Sequence, residues 1–426
     1  MVDIRPFKAI RYTENAGDPK DLITQPYDKI DETMQKDYYE KSPYNYCRLI
    51  LPMEKNKYEV SRNRIQDWLR EGVLEKDRDS AIFVCRQEFK LNGKQCVRTG
   101  LIAALRLYSY DENIVFPHEV TYSSPKADRL SMLRIVQKDL EPVFFIYSDP
   151  ENETIKLFKE VTKAESIINV VDDFQVRHKV WRVDDVEKIE LVKKLFAPKI
   201  LVITDGHHRY ESAITYRDEK RLQEKWTLDS AFSFQMSLLV PMQDEGLIIL
   251  PAHRLLKHHN LTTETLDTLK RYFDVQEIDA SVIGVDDFLA ERRNEHAFCI
   301  YTVSKAYGLV LKHEPKVYEF VNARVSKETK LFDVVILRDV IFKAILKTGD
   351  LRMDEDILYE RWTKTAVERI NRGEANLAFL LNPLTAKAVW QIAQEHERMP
   401  EKTTDFYPKP ASGLLMMDIA SQEKLT

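Results

Sequence analysis

Glycine is the scarcest structural resource in this chain: 426 residues hold only 11 glycines, well under half the usual share of about 7%. They are scattered, with no two closer than Gly93 and Gly100. A Walker A loop needs GxxxxGK followed by Ser or Thr, and a dinucleotide fold needs GxGxxG. Neither can be written with these positions, so any phosphate bound here is held by another device. Cysteine is nearly as sparse. Cys47, Cys85, Cys96 and Cys299 form no CxxC pair, which reads as reduced cytosolic thiols rather than a disulfide framework or a zinc site. Long apolar runs are missing: none approaches the roughly 18–20 residues of a membrane helix. The start, MVDIRPFKAIRY, has no apolar signal core. A cytoplasmic protein without a membrane partner is expected. An excess of positive charge is missing as well. Lys plus Arg is 64 and Asp plus Glu is 69, a net charge of −5, so nucleic acid is not an expected partner. Oligomeric state is not set by composition.

What is present is a mixture of short strands, hairpins and separate helices. Helical spacing is seen in Ile65, Trp68, Leu69 and Val73, and again over 126–140 and 185–196. The stretch 81–93 followed by 94–110 reads as a hairpin of strands. The apolar run 141–149 and the segment 174–185 read as strands. The runs 233–242 and 246–256, bridged by Gln243-Asp244-Glu245, give a second hairpin signal. Beyond about 257 helix and strand alternate, with helices expected near 331–347, 355–371 and 384–397 and a strand at 376–383. This mixture predicts α+β, or a mixed-sheet α/β arrangement, rather than a doubly wound parallel sheet. The expected division is a catalytic domain over 1–260 and a C-terminal region over 261–426.

The most informative stretch is KILVITDGHHRYESAITYRDE, residues 199–219. It opens as a buried, β-branched strand and continues as a helix with Tyr210, Ala213, Ile214 and Arg217 on one face. Between them stand Asp205, Gly206, His207, His208 and Arg209. A helix N-terminus with its unpaired N–H groups is an anion site, and Arg209 adds a guanidinium fork for a phosphate oxygen. Asp205 is a candidate magnesium ligand or proton acceptor. The plainer reading is that Asp205 or Thr204 caps the helix and Arg209 pairs with Glu211 or another acid.

Other polar clusters accompany it. PHEVTYSSPKADRL (117–130) carries His118 and Glu119, then Lys126 and Arg129 on the first turns of a helix, where cations oppose the dipole unless an anion lies between them. MPEKTTDFYPKPASGL (399–414) offers Lys402, Thr403 and Thr404 together with Lys409, hydroxyls and ammonium groups that suit a phosphate or carboxylate. QPYD and SPYNYCRLILP supply Tyr27, Asp28, Asn45 and Arg48 as candidate pocket residues, or as ordinary turn chemistry. His253, His258 and His259 lack an obvious acid or Cys partner and read as structural.

These motifs, in order, resemble an uncharacterised conserved family of bacteria and archaea carrying a domain of unknown function. The DGHHR turn further resembles the ParB/sulfiredoxin-like superfamily, which includes free serine kinases and binds nucleotide phosphates on a Gly-x-x-Arg turn at a helix start. In the serine kinases an upstream His-Glu pair precedes an Asp-Gly-x-His-Arg turn, matched here by His118-Glu119 and Asp205 to Arg209 across a longer gap. The resemblance implies a mixed-sheet nucleotide-binding core with an additional C-terminal region. It implies ATP or ADP with Mg²⁺ on Gly206, His207, His208 and Arg209, helped by Lys126 and Arg129. Glu119, Asp205 and His118 would act as catalytic groups, with Asp205 as metal ligand. Lys402, Thr403, Thr404, Asn45, Arg48, Tyr27 and Asp28 would contact a small polar acceptor bearing a hydroxyl, free L-serine first. A nucleotide-binding switch of ParB-like type, without an acceptor, is the alternative implied.

Overall fold

The computed structural model describes residues 1–121, 123–303, 305–321, 326–349, 351–353, 355–399 and 402–425. The chain forms two compact units, one of Met1–Ile248 with Pro408–Thr426, the other of Ile249–Tyr407.

The first unit is organised by a mixed sheet of nine strands. These are β1 (Ile4–Arg5), β2 (Ile82–Leu91), β3 (Lys94–Arg106), β4 (Val115–Pro117), β5 (Val143–Tyr147), β6 (Ile168–Val171), β7 (Arg177–Val183), β8 (Leu201–Asp205) and β9 (Phe234–Pro241). Their spatial order is β4-β8-β5-β9-β3-β2-β7-β6, with β1 on β3. Only β4–β8 and β5–β9 are parallel pairs. The β2–β3 hairpin turns at Asn92-Gly93, both with positive φ, as that dipeptide favours. Successive residues of a strand face opposite sides. Leu101, Ala103, Leu105, Phe145, Leu201 and Ile203 therefore share one core face with Phe158, Val192 and Phe196 of the covering helices. Helices α1 (Ser123–Val136) and α2 (His207–Gln223) lie against each other.

A four-stranded sheet completes this unit in the order Leu74–Lys76, Ala9–Tyr12, Met416–Asp418, Lys138–Asp139. A strand from the end of the chain is thus inserted between two from its first third. The second unit is a six-stranded antiparallel sheet, in the order Phe273–Ile278, Lys305–Leu311, Ala297–Thr302, Leu377–Leu381, His253–Leu256, Ile357–Glu360. Apolar clusters fill both of its faces. The molecule is α+β with mixed sheets, as expected.

Two local expectations are corrected. Residues 233–256 do not form a hairpin: β9 lies between β3 and β5, whereas His253–Leu256 pairs with Leu377–Leu381 and Ile357–Glu360. Both runs are central strands whose partners lie far away in sequence, so a short polar bridge did not decide their pairing. The helix expected over 355–371 is instead strand Ile357–Glu360 followed by helix Thr363–Asn371, because Ile357 and Leu358 are buried at a sheet edge. The helix near 331–347 is present but widens to π geometry over Ile336–Leu346.

Pro408–Thr426 supplies an inner strand of the four-stranded sheet. Ending the chain after Tyr407 is therefore expected to speed amide hydrogen exchange over Ala9–Tyr12 and Lys138–Asp139 well above the intact protein; unchanged protection there would contradict this role.

Candidate functional site

The two motifs 80 and more residues apart meet because β4 and β8 are parallel neighbours, with Val115, Phe116 and Pro117 beside Leu201, Val202 and Ile203. Both strands end at the same edge, so His118 and Asp205 emerge together. The register between β8 and β5 then slips: Ile203 faces Phe145, but Asp205 faces Phe144. Directly paired residues project to the same side of a sheet. The bulge at Thr204 thus moves Asp205 off the apolar face of Ile203 and onto that of Phe144, a re-aiming typical of bulges near sites. Thr204 uses its hydroxyl to donate to the Phe144 carbonyl at 3.0 Å.

Asp205 does not cap α2. Its Oδ2 accepts from Arg209 Nη2 at 2.7 Å and its Oδ1 from Lys409 Nζ at 2.5 Å. All three side chains are buried. Burial alone would raise the Asp205 carboxyl, but Lys409 and Arg209 outweigh it and hold it below the ordinary carboxylate range. The cap position is Gly206, with φ of 89°, and a glycine brings no side-chain cap of its own to α2. The first N–H groups of a helix are not satisfied within it. Arg209 folds back over this glycine, so that a Cβ on Gly206 would lie 2.8 Å from Arg209 Nε. That Nε is buried and has no hydrogen-bond partner. Burial would lower the guanidinium, yet Glu141 and Asp205 more than offset it, so it stays charged.

His118 is fully buried, and its Nδ1–H donates to the Ile203 carbonyl at 2.7 Å. In the neutral ring this leaves Nε2 as an acceptor, 3.6 Å from Glu119 Oε1. The His207 ring packs on His118 at 4.9 Å, and the His118 backbone N–H points to His207 Nε2 at 3.4 Å. Burial pushes both imidazoles below their ordinary value, His207 the further of the two because His118 lies beside it. His208 is only partly buried.

The remaining expected residues divide. Lys126 pairs with Glu211 at 2.9 Å, and Glu211 also accepts from Thr121 and Tyr110. Arg129 binds Asp128 through Nε and Nη2 and lies 3.9 Å over the Tyr27 ring. The Tyr27 backbone N–H donates to Glu141 at 3.1 Å. Asp28 is exposed but is among the acids that raise Arg209. Asn45 and Arg48 serve their own loop: Asn45 bonds the Asp21 carbonyl and the Cys47 N–H, and Arg48 bonds the Ser42 and Tyr39 carbonyls. Lys402, Thr403 and Thr404 belong to the second unit. Tyr122, Pro400, Glu401 and the side chains of Ser123 and Ser124 lie outside the described residues.

Two residues outweigh what the sequence suggested. Lys409 stood out only as one polar member of a proline-rich loop, yet it completes the Asp205 pair. Its backbone is fixed by two buried side chains, Gln87 donating to the Lys409 carbonyl at 3.0 Å and Arg98 to that of Pro408. Glu141, next to Pro142, drew no notice; it is 3% exposed and accepts from Ser412 Oγ at 2.7 Å. As for magnesium, both Asp205 oxygens are engaged by cations, and among the described residues no group of three or more His, Cys, Asp or Glu could hold a metal ion.

Residues 4–335 match the family described as Protein of unknown function (DUF1015). The chain belongs to this family. No curated protein matches it. Among solved structures, it is similar to a free serine kinase in complex with AMP (14% identity, TM-score 0.35, covering 73% of this chain and 90% of that one). It is also similar to a conserved hypothetical protein from Pyrococcus furiosus (14%, TM-score 0.32, 71% and 92%). A third likeness is to SbnI with a C-terminal truncation from Staphylococcus aureus (9%, TM-score 0.36, 74% and 87%). At such low scores these likenesses carry no argument about activity. No described helix is long and apolar enough to cross a membrane.

Two outcomes are expected of this DUF1015 member. Gly206→Ala forces a side chain into left-handed backbone and against Arg209, which is expected to cost about 1–2 kcal/mol or more in denaturant unfolding; a change of a few tenths would contradict the close approach. His207 has a depressed folded value, so the unfolded chain takes up its proton first. Stability is then lost as pH falls below about 6.5. Between pH 7 and 5.5, His207→Gln should lose less stability than the wild type; equal losses would show that His207 is not the group responsible.

Proposed function

We propose that this protein is a small-molecule kinase transferring a phosphoryl group from ATP or ADP to a hydroxyl acceptor, with free L-serine as the first candidate. The observation that carries this reading is the buried Arg209 guanidinium, with Nε unspent, folded over the glycine that starts α2 beside the ionised Asp205–Lys409 pair. A single helix N-terminus is weak evidence. A buried cation with an unused donor at that terminus needs an anion to satisfy it.

In this reading the nucleotide phosphates rest on the N–H groups of His207, His208 and Arg209, with Arg209 and Lys409 neutralising charge as the transferring group develops it. Magnesium arrives as part of the nucleotide substrate. Asp205, locked between two cations, orients them and is a poor proton acceptor. Glu119 fits that task better. The buried, neutral His118 lies 3.6 Å from that carboxylate and positions it. Glu119 takes the proton as the hydroxyl oxygen bonds to the terminal phosphorus, and the bond from that phosphorus to the bridging oxygen breaks to release the shortened nucleotide.

The test is a coupled pair of measurements. ATP or ADP with Mg²⁺ should raise the melting temperature of the wild type, and added L-serine should yield phosphoserine. Loss of one charge-assisted contact costs roughly 1.5–3 kcal/mol, so Arg209→Ala should weaken nucleotide binding by about ten- to a hundredfold. Unchanged affinity in that variant sinks the proposal. Tight binding without product over a panel of hydroxyl acceptors would favour a nucleotide switch instead.

A further inference from the structure

A row of buried polar residues crosses the nine-stranded sheet and ends at Lys409. Arg98 on β3, Gln87 on β2 and His178 on β7 are direct partners on three neighbouring strands, so their side chains share one face. It is the face that carries Phe144 and its partner Asp205. The Arg98 guanidinium lies 4.7 Å over the Phe144 ring. All three side chains of the row are buried, where polar groups are costly unless matched.

The row is matched in one direction only. An arginine donates and never accepts, so the Gln87 oxygen faces Arg98, whose Nε lies 3.1 Å away and whose Nη2 also reaches it. The Gln87 amide nitrogen is thereby turned the other way, 3.0 Å from the Lys409 carbonyl and 3.5 Å from His178 Nδ1. A donor at Nδ1 makes that nitrogen the acceptor and puts the ring proton on Nε2, 3.0 Å from Asp172 Oδ2. Asp172 closes the row. Its Oδ1 accepts the Phe174 and Val176 N–H groups, both at 2.9 Å, in the turn between β6 and β7. A guanidinium at one end and a carboxylate at the other polarise the links between them, and such chains strengthen their members.

Lys409 stands between Pro408 and Pro410, which have no N–H to offer. Pro410 also keeps the lysine before it in extended backbone. Such a segment is held by its carbonyls, and Arg98 takes that of Pro408 while Gln87 takes that of Lys409. We infer that Asp172 and His178 are positioning residues for Lys409. Acting through Gln87, they set the backbone from which its ammonium reaches Asp205 at 2.5 Å. The inference rests on the kinase reading only for what the positioned ammonium does, which is to neutralise the transferring phosphoryl group.

Asp172→Asn tests this with little change of shape. The new amide oxygen keeps the two turn N–H groups, and its NH₂ then faces His178 Nε2. The ring proton is driven to Nδ1, where it meets the Gln87 NH₂ donor to donor. Lys409 is read without turnover, by acetylation of the native full chain with acetic anhydride and peptide mass spectrometry, against the exposed Lys159. A buried amine is acetylated only through local opening. Loss of one hydrogen bond from the row should speed labelling of Lys409 relative to Lys159 by about threefold or more, and Gln87→Leu should do the same. In the double variant the two effects should not add, because Asp172 acts through Gln87, whereas general loosening adds. If Asp172→Asn does not fold, His178→Phe takes its place in the same cycle. Unchanged labelling in the single variants, or additive effects in the double one, overturns the inference. The reaction is read in parallel: Asp172→Asn should lower kcat for phosphoserine from Mg·ATP and leave the serine KM unchanged. Faster labelling with no Mg·ATP binding by any form upholds the positioning role and removes the kinase reading, so the two fail separately.

Discussion

The first unit depends on one buried ionic arrangement, Asp205 held between Arg209 and Lys409. A lone carboxylate at this depth would protonate or draw in water. Two opposed cations keep it charged, and removing one partner from such a set typically costs about 3–5 kcal/mol. The demand reaches outward from there. Arg209 must cross over the helix start, which only a glycine at position 206 permits. Lys409 must be delivered by the chain's last segment, which Gln87 and Arg98 fix through backbone carbonyls. The bulge at Thr204 turns the carboxylate toward them. Sheet, helix cap and terminal segment thus answer one electrostatic requirement.

Much of the architecture could be read from residue order, for reasons that are local. The strand–turn–helix over 199–219 was legible because an apolar run gives way to helical spacing at the one glycine for over thirty residues on either side. The hairpin of 82–106 was legible because two strand-like runs follow each other directly, and the structure turns them at Asn92-Gly93. Where pairing is long-range, local cues failed. Adjacent strand-like runs identified one hairpin, but the Gln243-Asp244-Glu245 bridge suggested one that does not form, since both flanking strands find better partners elsewhere. Ile357–Glu360 was hidden for the same reason. It is a short strand whose pattern fits a helix until its neighbour is known.

The site was legible by composition and opaque in its connections. Polar residues concentrated at DGHHR pointed to the turn, and His118 and Glu119 were marked before their adjacency was known. That adjacency comes from parallel pairing of β4 with β8, which no spacing rule encodes. Asp205 looked like a helix cap because that is what an aspartate before a helix usually is. Its true partner lies two hundred residues on, in a Pro-Lys-Pro run that reads as surface loop. Lys126 shows the opposite failure: a cation at a helix start suggests a bound anion, whereas Glu211 from α2 already answers it.

Lys409 has a further consequence, for the order in which the molecule is made. Domains generally fold as units while the chain emerges, at about 5–20 residues per second. The strands that hold Asp205 are all synthesised by Ile248, yet the lysine that completes its pairing follows only after Ile249–Tyr407. On the ribosome, the first unit waits on the order of ten seconds with an unfinished buried charge and an open gap in its smaller sheet. Assembly of this centre is therefore tied to passage of the ribosome through the intervening unit, so a nascent chain stalled within that unit carries the turn without the lysine that locks it.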